Sequence, residues 1–130
     1  MDCPVCNEAM ITMELNEVEI DHCLGCGGIW LDAGELEMLM DDEQKAKNLI
    51  QSFNKSAQSE EKPRKCPICL KKMDKIVVGN VEPVLLLDRC AKGDGLWFDA
   101  GELEDVCSRA ELDNDSLIIR LLADMFGKNN

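Results

Sequence analysis

Apolar and polar residues alternate over short stretches in two parts of the chain, which is typical of half-buried β-strands. The pattern predicts two hairpins, with strands at residues 9–15 and 18–21 in the first and at residues 75–78 and 84–88 in the second. Gly79-Asn80, directly after the third of these strands, is a favourable turn pair. The chain is therefore expected to contain two copies of a hairpin.

A helical pattern follows each predicted hairpin. Asp32 and Asp99 are good N-cap residues, and each has a glutamate three positions later, a variant of the capping box. Apolar residues at helical spacing are Leu36, Leu39, Met40, Ile50 and Phe53 in the first helix and Leu103, Val106 and Cys107 in the second. Trp30 and Trp97 lie just before the caps. Each indole is expected to fill its own small core between hairpin and helix, with a binding anchor as the alternative.

The end of the chain, residues 110–130, predicts a third, C-terminal amphipathic helix. It has Asp115 or Ser116 as N-cap and Gly127 as a C-terminal stop. Its apolar residues are Leu117, Ile118, Ile119, Leu121, Leu122, Met125 and Phe126. This face should be covered, since burying one such side chain is worth about 1.5–3 kcal/mol. It either packs back on the chain, forms the seam of a homodimer or enters a groove of a partner protein.

The chain is internally duplicated. WLDAGELE at residues 30–37 and WFDAGELE at residues 97–104 share seven of eight residues. DHC and DRC precede them at the same spacing, and CPVC and CPIC come earlier still. Three matched blocks in one order indicate a repeated unit. We assign residues 1–53 to the first copy and its helix, 54–63 to a polar linker, 64–109 to the second copy and its helix, and 110–130 to the C-terminal helix.

The cysteine spacing of the first copy predicts a zinc site. Cys3, Cys6, Cys23 and Cys26 form the pattern C-x2-C-x16-C-x2-C. Two C-x2-C turns on neighbouring hairpins can point four thiolates at one Zn²⁺ ion. The alternatives are a disulfide framework, a redox-active pair or buried free thiols. The sequence offers neither a sign of an oxidising compartment nor a βαβ pattern around the cysteines, so zinc is preferred.

The second copy retains only three of these cysteines. Cys66, Cys69 and Cys90 are present, but Gly93 stands where the first copy has its fourth cysteine. A closed structural zinc site has four ligands. Asp94 is one residue further along, and we predict that Asp94 or a water molecule supplies the fourth ligand of a second Zn²⁺ site.

Three other side chains lie near these ligands in the sequence. His22 precedes Cys23, and it is expected to be an exposed bystander, with a hydrogen-bond donor to a thiolate or a metal ligand as alternatives. Asp88 is expected to end a strand. Cys107 shares the apolar face of its helix, so it is interpreted as a packed core thiol rather than a ligand.

The charge distribution argues against nucleic acid as a partner. The 130 residues carry a formal charge of −12, and residues 1–40 contain nine acids and neither Lys nor Arg. Binding to a phosphate backbone depends on cations, which this part lacks. The acidity suits either simple solubility or a basic protein partner. No apolar run is long enough for a membrane span and no signal peptide opens the chain, so a cytoplasmic protein without membrane contact is expected.

The longer motifs resemble one known family. DHCLGCGGIWLDAGELE and DRCAKGDGLWFDAGELE, each preceded by a C-P-x-C pair, are similar to the transcription factor IIB-type zinc ribbons, here in two tandem copies. The resemblance spans about residues 1–40 and 64–105. It implies a rubredoxin-like knuckle fold with zinc on Cys3, Cys6, Cys23 and Cys26. Of the second site, it carries over Cys66, Cys69 and Cys90. The family takes its name from a factor whose ribbon docks on RNA polymerase.

These observations predict a small α+β fold: two tandem zinc ribbons, each a knuckle plus β-hairpin followed by a capped helix, and a C-terminal amphipathic helix. The preferred function is a zinc-binding protein-interaction module, such as an adaptor for RNA polymerase or another large assembly. A nucleic-acid-binding regulator and a zinc-thiolate redox sensor are the alternatives. An enzyme is not expected, because Ser, His and Tyr are nearly absent from the two units.

Overall fold

The computed structural model describes residues 1–40, 42–55, 63–79, 84–109, 120–122 and 124. Its strands are β1 (Ile11–Leu15), β2 (Val18–His22), β3 (Ile29–Asp32), β4 (Phe53–Lys55), β5 (Asp74–Val78), β6 (Leu86–Arg89) and β7 (Gly95–Phe98). Its helices are α1 (Glu35–Met40), α2 (Glu43–Gln51) and α3 (Glu102–Arg109). The seven strands form one antiparallel sheet in the order β1-β2-β3-β7-β6-β5-β4. The prediction of a small α+β protein is confirmed.

Both predicted hairpins are present. In the first, Leu15 pairs with Val18, and the two residues between them have positive φ angles, 50° at Asn16 and 66° at Glu17. Two such residues form the tight turn whose twist matches that of the flanking strands. In the second hairpin, β5 ends at Val78 and Gly79 follows with a φ of 65°. The remainder of that predicted turn lies outside the described residues.

A third strand in each copy joins the two copies. β3 and β7 pair along their whole length, with Trp30 opposite Trp97. The apolar pattern predicts no strand here, because most residues of both segments are buried and leave no alternation of apolar and polar positions. The junction between the copies is therefore a central strand pair of one continuous sheet.

The first predicted helix consists of two helices. α1 ends at Met40, and α2 begins after Asp42, whose carboxylate accepts a hydrogen bond from the Lys45 backbone N–H at 3.0 Å. This is an N-cap that the apolar spacing alone did not reveal. Phe53 belongs to β4 rather than to a helix. Residues 54 and 55, predicted to be linker, continue β4, which pairs with β5 of the second copy.

Both copies contribute to one main hydrophobic core. It includes Leu15, Ile20, Leu31, Leu36 and Leu39 from the first copy and Ile76, Leu87, Phe98, Leu103 and Val106 from the second. Cys107 is fully buried in this core. Among the described residues, no helix is long and apolar enough to cross a membrane.

Four residues of the predicted C-terminal helix are described, and all four are helical. Leu122 is buried in the main core, and Leu121 is partly buried against it. These two side chains lie where a helix packed back on the chain would place them. The rest of the predicted helix lies outside the described residues.

Candidate metal centres

The first cysteine pair sits on a tight turn stabilised by its own backbone. The Asn7 N–H donates to the Cys3 carbonyl at 2.9 Å, and the Cys3 N–H donates to the Glu8 carbonyl at 2.7 Å. Asn7 closes the turn with a φ of 63°, a conformation that asparagine tolerates better than most residues. The N–H groups of Val5 and Cys6 both point at the Cys3 sulfur at 3.3 Å. These two N–H groups lower the pKa of Cys3, but burial has the larger and opposite effect.

The second cysteine pair follows β2 on a turn closed by glycines. The Gly27 N–H donates to the Cys23 carbonyl at 2.9 Å, with a φ of 80° at Gly27. The Gly28 carbonyl accepts from the Cys23 N–H at 3.0 Å and also from Nδ1 of His22 at 3.0 Å. Because a carbonyl only accepts, His22 carries a proton on Nδ1.

The expectation that His22 is an exposed bystander is wrong. Its exposed fraction is 9 %, because the ring reaches over the turn to the Gly28 carbonyl. His22 is not among the residues whose ligand atoms cluster in the first site. It positions the turn that carries Cys23 and Cys26.

The four sulfurs of the first copy converge on one point. The Sγ atoms of Cys3, Cys6, Cys23 and Cys26 all lie within 4.8 Å of one another. Those of Cys3 and Cys26 are 3.7 Å apart. With Zn–S bonds of about 2.3 Å, a tetrahedron has edges of about 3.8 Å, so the spacing and the soft sulfur donors both fit Zn²⁺.

The second copy builds the same first turn with different residues. The Leu70 N–H donates to the Cys66 carbonyl at 2.8 Å, and the Cys66 N–H donates to the Lys71 carbonyl at 2.8 Å. Leu70 takes the left-handed position with a φ of 62°, which costs an ordinary side chain about 1–2 kcal/mol. The Ile68 N–H points at the Cys66 sulfur at 3.4 Å. The ligand geometry is thus retained at a cost in backbone strain.

Asp94 occupies the fourth position of the second site. Its Oδ2 lies 3.6 Å from the Cys66 sulfur and 3.3 Å from the Cys90 sulfur, which is itself 3.7 Å from that of Cys69. A tetrahedron with one Zn–O and three Zn–S bonds has S···O edges of about 3.6 Å. The structure therefore brings the four predicted ligands together in a set that fits Zn²⁺.

The backbone explains how Asp94 reaches this position one residue late. In the first copy the left-handed residue is Gly27, after the ligand Cys26. In the second copy the left-handed residue is Gly93, which comes before the ligand Asp94. The Gly93 N–H donates to the Cys90 carbonyl at 3.0 Å. The turn is one residue shorter, so the next side chain is the one that points inward.

The cysteine thiols differ in acidity. Burial raises the pKa of Cys3 to about 11 and that of Cys66 to about 12. Backbone N–H groups directed at the sulfur lower the pKa of Cys23 and of Cys69. Zinc binds thiolates, so the buried ligands must lose protons when the metal binds. Zinc binding should therefore strengthen as the pH rises.

The two tryptophans pack across the junction as well as against their own copies, which corrects the expectation that each fills a core of its own copy. A side-chain atom added to Gly28 would collide with the Trp97 ring, and one added to Gly95 would collide with the Trp30 ring. Both indoles share a buried cluster with Cys3, Cys23, Cys66 and Cys90. In the sequence, this close approach is indicated by Gly28 and Gly95, each of which stands two positions before a tryptophan.

Comparison with known proteins identifies one family model that matches the chain. Its description is transcription factor zinc-finger, of the TFIIB zinc-ribbon type, and it matches residues 2–42 and 65–109. The two segments correspond to the two copies and together hold 86 of the 130 residues. No curated protein and no solved structure matches. The resemblance inferred from the motifs, in two tandem copies, is confirmed.

Proposed function

Because the chain belongs to the transcription factor zinc-finger family of TFIIB-type zinc ribbons and binds Zn²⁺, we propose that it is a zinc-stabilised protein-interaction module. The observation that carries this proposal is the exposure of apolar side chains on the cysteine turns. The exposed fractions are 40 % for Val5, 73 % for Leu24, 48 % for Ile68 and 69 % for Leu70. Apolar residues held in solvent by a rigid turn are well suited to bind a partner.

The first cysteine turns of the two copies lie side by side, which supports a single binding face. A cleft of about 360 Å³ has walls from both turns, including Pro4, Asn7, Pro67 and Leu70. Cys3 and Cys66 also line it, one from each candidate zinc site. In this proposal the Zn²⁺ ions are structural and fix the shape of the turns. The duplication thus serves to place two apolar turns next to each other.

RNA polymerase is the first partner to test, since the matched family is described as a transcription factor zinc-finger. The proposed role is that of a cytoplasmic adaptor rather than an enzyme. The absence of Lys and Arg from residues 1–40 favours a protein partner over nucleic acid.

Affinity purification of the zinc-loaded full chain tests this proposal. Val5→Asp combined with Ile68→Asp should abolish capture of the partner while zinc content stays unchanged. Val84→Asp is the matched control, because Val84 is exposed to 56 % outside the cysteine turns. Cys23→Ser should also lose the partner, through loss of zinc.

Three outcomes would contradict these expectations and overturn the proposal. One is retention of the partner by the Val5→Asp, Ile68→Asp variant. A second is a zinc-dependent electrophoretic shift of nucleic acid at low salt, which would favour a nucleic-acid-binding regulator. The third is reversible zinc release by mild peroxide with loss of partner binding, which would favour a redox sensor.

A further inference from the structure

The second copy contains a partly buried arrangement of charges that links β5 and β6 to two residues outside the strands. Arg64 Nη1 bonds Asp99 Oδ1 and lies 3.7 Å from Asp88 Oδ2. Lys75 Nζ lies 2.6 Å from Asp88 Oδ1. Two cations thus neutralise two carboxylates here. Because Asp88 is almost fully buried, this pairing is needed to keep its charge in the protein interior.

The first copy retains both carboxylates in the same framework. Asp21 lies opposite Trp30 in the sheet, as Asp88 lies opposite Trp97. The Trp30 indole N–H donates to Asp32 Oδ1 at 2.9 Å, and the Trp97 indole N–H donates to Asp99 Oδ1 at 3.0 Å. The Asp21–Asp32 pair is therefore the structural counterpart of the pair that holds Arg64.

The first copy lacks both cationic side chains. Met1 stands at the position of Arg64: its carbonyl accepts from the Met10 N–H at 3.0 Å, as the Arg64 carbonyl accepts from the Met73 N–H at 2.8 Å. Thr12 stands at the position of Lys75 and donates a neutral hydrogen bond to Asp21 at 3.0 Å.

Without these cations the carboxylates of the first copy are accessible. Asp21 is half-buried and Asp32 is exposed, whereas Asp88 is buried and Asp99 is half-buried. Among the residues that the structure describes, no ion pair to Asp21 or Asp32 is present. A further carboxylate lies close by, since Glu35 Oε1 accepts a hydrogen bond from the Asp32 backbone N–H at 2.7 Å.

We propose that the Asp21–Asp32 pair binds an arginine side chain of a partner protein, in the place that Arg64 takes in the second copy. An acidic cluster alone would not identify a ligand. Here the second copy shows the equivalent pair with its cations, the Arg64 guanidinium between Asp99 and Asp88 and the Lys75 ammonium on Asp88. In the first copy the Thr12 hydroxyl takes the position of Lys75, so the position without a counterpart is that of the guanidinium. Arginine suits the site because its planar group reaches two carboxylates at once. This inference rests on the proposed function and names the chemistry of the partner.

A peptide titration of the zinc-loaded full chain tests the proposal directly. The probe is a Gly- and Ser-flanked pentapeptide with one central arginine, and its control has citrulline, a neutral isostere, at that position. The indole N–H signals of Trp30 and Trp97 in NMR spectra are the readout. The arginine peptide should shift the Trp30 signal and leave the Trp97 signal in place, because Arg64 already occupies Asp99. Citrulline should shift neither.

Two variants complete the test. Asp21→Asn with Asp32→Asn should weaken peptide binding about tenfold or more, while the exposed acid Glu37 on α1 supplies the control Glu37→Gln. Met1→Arg is made with an additional methionine before it, at which translation starts. Its guanidinium should bind Asp21 and Asp32 from within the chain and so prevent the peptide from binding. Equal shifts of both indoles, equal binding of citrulline, or an equal response to Mg²⁺ would overturn the proposal.

The same variants separate this inference from the proposed function. If the unaltered chain captures no partner, the proposed function fails, and the peptide titration still decides whether the pair binds arginine. If a partner is captured and Met1→Arg captures it equally well, the arginine site is wrong and the interaction module stands.

Discussion

Asp94 shows that the position of a metal ligand depends on the backbone as much as on spacing. In the sequence it stands one residue beyond the position of the missing cysteine. In the structure a left-handed turn at Gly93 brings its carboxylate within 3.6 Å of two cysteine sulfurs. A carboxylate is a harder ligand than a thiolate, so the second site should hold Zn²⁺ less tightly than the first.

Replacing Asp94 tests its role as a ligand. Asp94→Ala should lower the zinc affinity of the second site by more than the roughly 10–100-fold that loss of an outer-shell partner costs. The first site should be unaffected. Zinc content after dialysis against a chelator is the measurement, with Cys66→Ser as the reference for complete loss of this site. An unchanged content of two zinc ions per chain in Asp94→Ala would show that a water molecule serves equally well.

At the scale of elements, the strand pair β3–β7 joins the two copies. Each tryptophan fills the space above the other copy's glycine, so neither indole is packed by its own copy alone. Gly28 also accepts hydrogen bonds from Cys23 and His22. The strand junction and the cysteine turns are therefore parts of one packed unit.

Substitution of Gly28 should disturb this unit. A methyl group at Gly28 would occupy the space of the Trp97 ring, and forcing extra atoms into a packed core costs about 1–3 kcal/mol. We expect Gly28→Ala to lower the free energy of unfolding by that amount, measured by thermal denaturation of the zinc form.

Gly34→Ala is the matched control, because Gly34 has open space around it. Its φ of 88° makes any side chain strained, so a cost of about 1–2 kcal/mol comes from the backbone alone. Only Gly28→Ala should also alter the fluorescence of the tryptophans. Identical spectra for the two variants would contradict the packing described here.

At the scale of the whole molecule, the two copies share one sheet and one main core. Units of roughly 40 residues rarely bury enough apolar surface to fold without a metal, disulfides or a partner. In this chain the metal sites border a common buried cluster. Loss of metal from one copy should therefore affect the packing of the other.

Removal of zinc should unfold the two copies in a single transition. Structural Zn²⁺ contributes on the order of 10 kcal/mol in small zinc modules, which is comparable with the whole stability of a domain. In a Trp30→Phe background, Trp97 is the remaining tryptophan, and its fluorescence reports on the junction between the copies. Cys23→Ser in that background should lower the melting temperature seen by Trp97. A separate, unshifted transition at Trp97 would show that the copies fold independently.

Features that depend on neighbouring residues could be predicted from the sequence. The duplication and the two C-x2-C pairs are visible as matched motifs, and the hairpins depend on short spacings. The predicted caps at Asp32 and Asp99 are only partly correct: the N–H of each aspartate donates to the side chain of the following glutamate at 2.7 Å. The aspartate carboxylates accept from the tryptophan indoles instead, and the first helical N–H groups donate to the carbonyls of Gly34 and Gly101. Such features involve interactions within a few residues, and the sequence records these directly.

The remaining features depend on contacts that no local pattern records. The pairing of β3 with β7, the exchange of tryptophans and the burial of His22 each require the two copies, or two turns, to meet in space. The cation that neutralises Asp88 and Asp99 is Arg64, which is distant from both in the chain. Only the tertiary structure brings these groups together, because packing and charge pairing depend on distance in space and not on separation along the chain.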